Sequence, residues 1–165
     1  MVQETSTASD LQQKKLLYYA NLRYDFIEKY TQYMKIPTDY GTGETITMVE
    51  VHTLTLIETH PGIMPKEVAL MWNRTKGAVS QTLNKLKKKG LIEQRSENGN
   101  NKNIHLYVTE IGKTLSIAHR KYDERHLQWA HKELSKSFSE KEIDNFYAIM
   151  KRYTEIMENM ILQKK

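Results

Sequence analysis

Thr75 and Gly90 bracket the stretch that most constrains this fold. Thr75 suits a helix N-cap and Gly90 suits the left-handed residue after a helix, so a helix is predicted between them. At 100° per residue, Val79, Leu83 and Leu86 fall on one side and predict an inward face. Lys76, Ser80, Gln81, Asn84 and Lys87 fall on the other, a long-reaching polar face with no acidic residue. Upstream, Pro65 suits a first helical position and opens a short helix through Trp72, with Asn73 and Arg74 as a turn. Downstream, Leu91–Arg95 and Asn103–Val108 are short, partly alternating runs around Ser96–Lys102, which is dense in turn formers.

Two short helices, a tight turn and a hairpin make a winged helix-turn-helix. The flanks predict further helices. Leu16, Tyr19, Ala20, Phe26, Ile27, Tyr30 and Met34 recur at helical spacing within 11–35. Ile36–Thr45 reads as a loop, with Pro37, Asp39, Gly41 and Gly43 as turn formers. Thr47 and Glu50 form a capping box for a helix to about Glu58. Thr109 caps a long helix through about Lys136, with the stripe Ile111, Leu115, Ala118, Tyr122, Trp129, Ala130 and Leu134. Ser139 and Glu142 form a second capping box, opening a helix to about Ile161 whose stripe runs from Ile143 through Tyr147 and Met150 to Met160. The expected class is therefore mainly α with a small β-hairpin: a winged helix-turn-helix lobe over 46–109 between helical segments over 1–45 and 110–165.

Charge follows the same division. Between His60 and Thr109 there are nine basic residues and three acidic ones, while the rest of the chain carries 16 basic and 17 acidic. The whole positive balance thus lies in the central segment, as a polyanion-binding lobe requires. A solvated lysine face would give the same count, so charge alone leaves both readings open. The chain has no cysteine, which excludes a disulfide framework, thiol catalysis and cysteine-ligated zinc. No stretch approaches the ~20 apolar residues of a membrane span. The polar, acidic start at Met1–Asp10 is not expected to act as a targeting peptide. A cytoplasmic protein is expected.

The ordered series Ile46–Glu50, His60-Pro-Gly, Lys66-Glu-Val-Ala, Thr75–Gln81, Leu86–Ile92 and Val108–Gly112 resembles the successive signatures of the MarR/SlyA family of transcriptional regulators, over about 41–134. The resemblance implies a homodimer on palindromic double-stranded DNA. In it the outer helices dimerise, a recognition helix enters the major groove and a wing lies near the minor groove. The expected DNA-binding residues are Arg74, Thr75, Lys76, Gly77, Ser80, Gln81, Asn84, Lys85, Asn101 and Lys102. Lysine, Gln and Asn side chains suit base edges in the major groove, and Gly77 lets the backbone come close. Asn100, Asn101 and Lys102 stand where family wings carry an Asp-Arg-Arg run. A lysine cannot form arginine's planar fork, so weaker minor-groove readout is expected.

Ligands or metals typically act on this family from between its lobes. His52, on the second predicted helix, and His119 match two positions at which zinc-responsive relatives hold their metal; Asp123 stands at the third, and Glu28 is a guess at a fourth. Asp and His are both zinc ligands, but a buried histidine more often only hydrogen-bonds. An organic effector is the rival, with His52, Tyr24, Tyr30 and His119 as the expected lining, since aromatic bodies with polar tips suit an amphipathic pocket. Most of the tyrosines suit a dimer core equally well. The expected function is a DNA-binding regulator, a repressor modulated by a small ligand. The alternatives are a zinc-responsive regulator of the same family, or a helical interaction protein whose basic lobe meets RNA or an acidic protein. No nucleotide loop or nucleophile-elbow pattern points to an enzyme, and no cofactor is firmly indicated.

Overall fold

The computed structural model describes residues 8–96 and 104–164. Its elements in chain order are α1 (Ala8–Tyr33), β1 (Thr38–Asp39), β2 (Thr45–Ile46), α2 (Met48–Thr59), α3 (Pro65–Met71), α4 (Lys76–Lys88), β3 (Ile92–Ser96), β4 (Ile104–Val108), α5 (Glu110–Leu134) and α6 (Glu140–Leu162). The chain divides into two compact units, residues 1–119 and 120–165. The division falls inside α5, so the first turns of that helix belong with the winged lobe.

The helix starts form for local reasons legible in the sequence. Thr47 N–H donates to Glu50 Oε2 at 3.0 Å, and Glu50 N–H donates to Thr47 Oγ1 at 3.4 Å. Ser139 N–H donates to Glu142 Oε2 at 2.8 Å. Both capping boxes satisfy amide donors that a helix start would otherwise leave open. Gly90 follows α4 at φ +68°, the left-handed conformation in which a side chain is strained. The Ile36–Thr45 stretch, expected as loop, holds a two-strand antiparallel pair, β1 with β2. Its turn is knotted by Asp39 Oδ1, which accepts from the N–H groups of Gly41, Thr42 and Gly43 at 2.8, 3.0 and 3.1 Å. Two-residue strands carry no alternation to read, so only the turn chemistry was visible beforehand.

The core of the first unit gathers Val51, Leu54 and Ile57 of α2, Val68 of α3, and Val79, Leu83 and Leu86 of α4. Leu91 and Ile92, Leu106 of β4 and Leu115 of α5 complete it. Strands β3 and β4 pair antiparallel, with Ile92 opposite Val108 and Ser96 opposite Ile104. That register turns Ile92, Leu106 and Val108 toward the core face.

One expectation fails here. Ile111 was placed in the inward stripe of α5, yet it is 66% exposed. The inward positions are Gly112, Leu115, Ser116 and His119. Small and polar residues replace the expected aliphatic because the helix start comes too close to the backbone for a side chain. A Cβ on Gly112 would sit 2.0 Å from the Leu91 carbonyl oxygen. Ser116 is satisfied across the same contact: its hydroxyl donates to Glu58 Oε2 at 2.6 Å and lies 3.0 Å from Thr55 Oγ1.

In the second unit, α5 and α6 are joined through residues 135–139, where His131 Nε2 lies 3.2 Å from Glu140 Oε1. Most of the α6 stripe is exposed in the single chain, and α1 buries none of its residues. No described helix is long and apolar enough to cross a membrane.

Gly112→Ala is expected to lower stability by at least the roughly 1–3 kcal/mol typical of overpacking, since backbone rather than a side chain must yield. Urea unfolding of the variant beside wild type checks this, and an unchanged midpoint would show that α5 is free to shift.

Candidate nucleic-acid interface

Helix α4 is positioned from behind and from its first turn. Val79, Leu83 and Leu86 are buried in the core. Ala78 N–H donates to the Thr75 hydroxyl at 3.2 Å, and Arg74 N–H donates to the Ala69 carbonyl at 2.9 Å. Asn73 adopts φ +47°, which tightens the turn from α3. The far face exposes Lys76, Gly77, Ser80, Gln81 and Asn84, as expected. A Cβ on Gly77 would meet nothing within 4 Å, so the fold itself makes no demand for glycine there.

The structure sorts the basic residues of this lobe. Lys85 Nζ lies 3.3 Å from Glu50 Oε1, and Lys89 Nζ lies 2.5 Å from Glu44 Oε1 and also donates to the Thr45 carbonyl. Lys87 Nζ donates to Gln94 Oε1 at 3.3 Å. Arg95 donates to Glu93 Oε1 and stacks over the Tyr107 ring at 4.4 Å. These four serve the lobe's own structure. Lys66, Arg74, Lys76 and Lys88 have no acidic partner among the described residues. Lys85, expected among the DNA contacts, thus differs from Lys76 in having its charge matched inside the lobe. Pairing by spacing cannot reveal this, because Glu50 is 35 positions away in the chain.

The hairpin is anchored at its base. His105 Nδ1 lies 2.7 Å from the Gly62 carbonyl, and the Leu106 N–H donates to the Ile63 carbonyl at 3.0 Å. Asn101 and Lys102, the expected wing contacts, lie outside the described residues.

A second group of the expected residues comes together in the first unit. The His52 and His119 rings are 5.1 Å apart, edge to face, and each offers a nitrogen within 4.8 Å of the other's. Tyr40 packs edge-on against His119 at 4.9 Å, and Trp72 stacks on His52 at 6.4 Å. Trp72, at the end of a short helix, was not expected here; Tyr40 comes from the Ile36–Thr45 stretch. Met34, Met48, Val49, His52, Trp72 and Arg74 help line a cavity of about 60 Å³. The Tyr30 hydroxyl reaches Met48 Sδ at 3.9 Å, beside this cavity. Tyr24 is not brought in: it is 70% exposed on α1. Asp123 follows His119 by one turn of α5 and falls in the second unit. Glu28 is on α1, where its carboxylate accepts from Gln32 at 3.1 Å.

Comparison with known proteins agrees with this geometry. Residues 45–102 match the family described as MarR. An uncharacterized HTH-type transcriptional regulator of Bacillus subtilis (strain 168), YhjH, is 28% identical over 91 residues, which span 55% of this chain. That match spans 52% of YhjH, about half its length. The crystal structure of Streptococcus pneumoniae FabT in complex with DNA aligns over 92% of this chain and 99% of FabT, at 20% identity and a TM-score of 0.59. Lactococcus lactis ZitR, a zinc-responsive MarR family member, aligns over 88% of this chain and 99% of ZitR, at 17% identity and a TM-score of 0.63. Fold and site together define a winged helix-turn-helix protein.

Glu50 ties the start of α2 to α4. Burial pushes its carboxyl up, but the Thr47 N–H, the Lys85 ammonium and the Thr47 hydroxyl outweigh that and hold it below the ordinary value of 4.5. A carboxylate with a depressed folded-state pKa stabilises above its unfolded value, and that contribution is lost as pH falls through the folded one. Glu50→Gln is therefore expected to cost about 1 kcal/mol at neutral pH, as loss of a cap does. The gap between the thermal melts of the two proteins is expected to close as pH is taken well below 4.5. A gap that stays constant down to acid unfolding would mean that the charge of Glu50 is not what matters.

Proposed function

We propose that the chain is a sequence-specific transcriptional regulator that binds palindromic duplex DNA as a homodimer. In this reading it is a cytoplasmic repressor, acts by binding rather than catalysis, and is released by a small ligand. The observation that carries the proposal is the exposed, acid-free face of α4, held rigid from behind by three buried aliphatic residues. Gln81 and Asn84 can pair with adenine edges, Lys76 can donate to guanine, and Ser80 can do either. That FabT, which shares the fold, was solved with DNA supports the reading. The apolar side chains that α1 and α6 expose, among them Phe26, Ile27, Phe146, Tyr147 and Met157, are the material of a dimer interface.

Selection of tight binders from random duplexes by the full chain is expected to return an inverted repeat, its half-sites about one helical turn apart. On that duplex Gln81→Ala is expected to cost on the order of 1–3 kcal/mol and to relax preference at one position of each half-site. A single half-site would count against the dimer. Preference for RNA, or binding indifferent to sequence, would favour the helical interaction protein with a basic lobe.

The approach of His52 to His119 favours one specific form of the ligand: zinc. Two imidazoles with nitrogens this close form half of a tetrahedral set, and Asp123 is the expected third donor. The rival is an organic effector beside His52, Tyr30 and Trp72, for which a cavity of about 60 Å³ would have to open. A zinc titration of operator affinity separates them. A zinc sensor responds in wild type and loses the response in His119→Ala. No zinc dependence in wild type at neutral pH removes the metal reading and leaves the organic one.

A further inference from the structure

Three helices bring their ends to the cavity beside His52: Met34 follows the last turn of α1, Met48 opens α2 and Trp72 closes α3. The Met34 N–H donates to the Tyr30 carbonyl at 3.0 Å, which carries the turn of α1 into the cavity wall. Met48 and His52 stand at i and i+4 on α2, so the thioether and the imidazole share one helix face. The Tyr30 hydroxyl donates to Met48 Sδ at 3.9 Å. That contact orients an otherwise adaptable side chain and takes one lone pair of its sulfur, leaving the second for another partner. Trp72 stacks on His52 at 6.4 Å with 10° between the rings. Among the described residues no carboxylate lines the cavity.

Two thioethers, an imidazole and an indole face make a neutral, soft set of donors. Hard divalent ions take oxygen ligands, and zinc takes thiolate, imidazole or carboxylate, whereas thioethers select copper(I). The size agrees: about 60 Å³ suits an ion and falls well short of the ~300 Å³ at which organic ligand pockets begin. The charge agrees too, since the exposed Arg74 on the lining opposes a divalent ion about twice as strongly as a monovalent one. We propose that Met34, Met48 and His52 bind a soft monovalent cation, copper(I), with the Trp72 ring beside it as a cation–π partner. The site is distinct from the zinc reading: it shares His52 alone and uses neither His119 nor Asp123. It also stands apart from the DNA reading, since it requires nothing of α4.

The test is a copper(I) titration of the full chain under nitrogen, with ascorbate to hold the metal reduced and bicinchoninate as a coloured competitor. Wild type is expected to withdraw copper(I) from the competitor. Met34→Leu and Met48→Leu, which conserve volume, are each expected to weaken that binding by more than the roughly tenfold that follows loss of an outer-shell contact. Silver(I), a redox-inert stand-in, is expected to rank the variants in the same order. Met71→Leu, at an exposed position of α3 outside the cavity, is expected to bind as wild type does. Circular dichroism melts of all three variants are expected to match wild type, and Met48→Leu is expected to leave zinc affinity unchanged. A wild-type chain that leaves copper(I) with the competitor overturns the site. So does binding that survives both Met34→Leu and Met48→Leu, or that Met71→Leu weakens equally, which would make it surface capture by methionine. A loss of zinc and copper(I) together in Met48→Leu overturns it as well, by placing the effect in the fold around His52.

Discussion

The joint between the end of α4 and the start of α5 governs the winged lobe. Backbone groups of Gly90, Leu91 and Gly112 meet there around one side chain, that of Thr109. The Thr109 hydroxyl donates to the Gly90 carbonyl at 2.7 Å and accepts from the Gly112 N–H at 3.1 Å, while the Thr109 N–H donates to the Leu91 carbonyl at 3.1 Å. One threonine thereby caps α5 and closes the turn that ends α4. Gly112 makes the approach sterically feasible and Gly90 supplies the left-handed turn. Once these are fixed, the first turns of α5 are fixed with them, as is the position of Leu115, Ser116 and His119 against α2. A change at this joint would therefore reach the face of α4 and the histidine pair together, although neither touches it.

Electrostatics follows from the same packing. The excess of positive charge in the central segment overstates what is available to a ligand. Half of the described basic residues there hold Glu50, Glu44, Glu93 or Gln94 and so brace α2, the β1–β2 turn and the hairpin. Of what remains, Lys66 and Lys76 lie where α3, α4 and the hairpin meet, Arg74 lies beside His52, and Lys88 ends α4. Net charge thus predicts that a polyanion is attracted, while the internal pairing decides where it settles.

The sequence made the helix boundaries legible because caps are local: Thr47 with Glu50, Thr75, Ser139 with Glu142 and Gly90 each act within a few residues of themselves. The inward face of α4 was legible for the same reason, since Val79, Leu83 and Leu86 have no rival stripe. The face of α5 was not. Its tightest position is a glycine whose role depends on the Leu91 carbonyl, 21 positions earlier in the chain, and hydrophobic periodicity gives a glycine no weight. Of the candidate site, the exposed residues of α4 and the pairing of His52 with His119 were within reach of spacing and resemblance. Trp72 was not, because it comes to its place by tertiary packing from the end of a short helix.

Both tryptophans of the chain lie against a histidine. Trp72 stacks on His52 in the first unit, and Trp129 lies 5.5 Å from His126 in the second, where His126 also stacks on Tyr122 at 6.0 Å. An imidazolium quenches indole emission far more strongly than a neutral imidazole, so each indole is a built-in optical probe of its neighbour's protonation or ligation. Replacing one tryptophan by phenylalanine isolates the other signal. The ring at the end of α3 and the ring on α5 can then be followed separately in solution, with no label added to either.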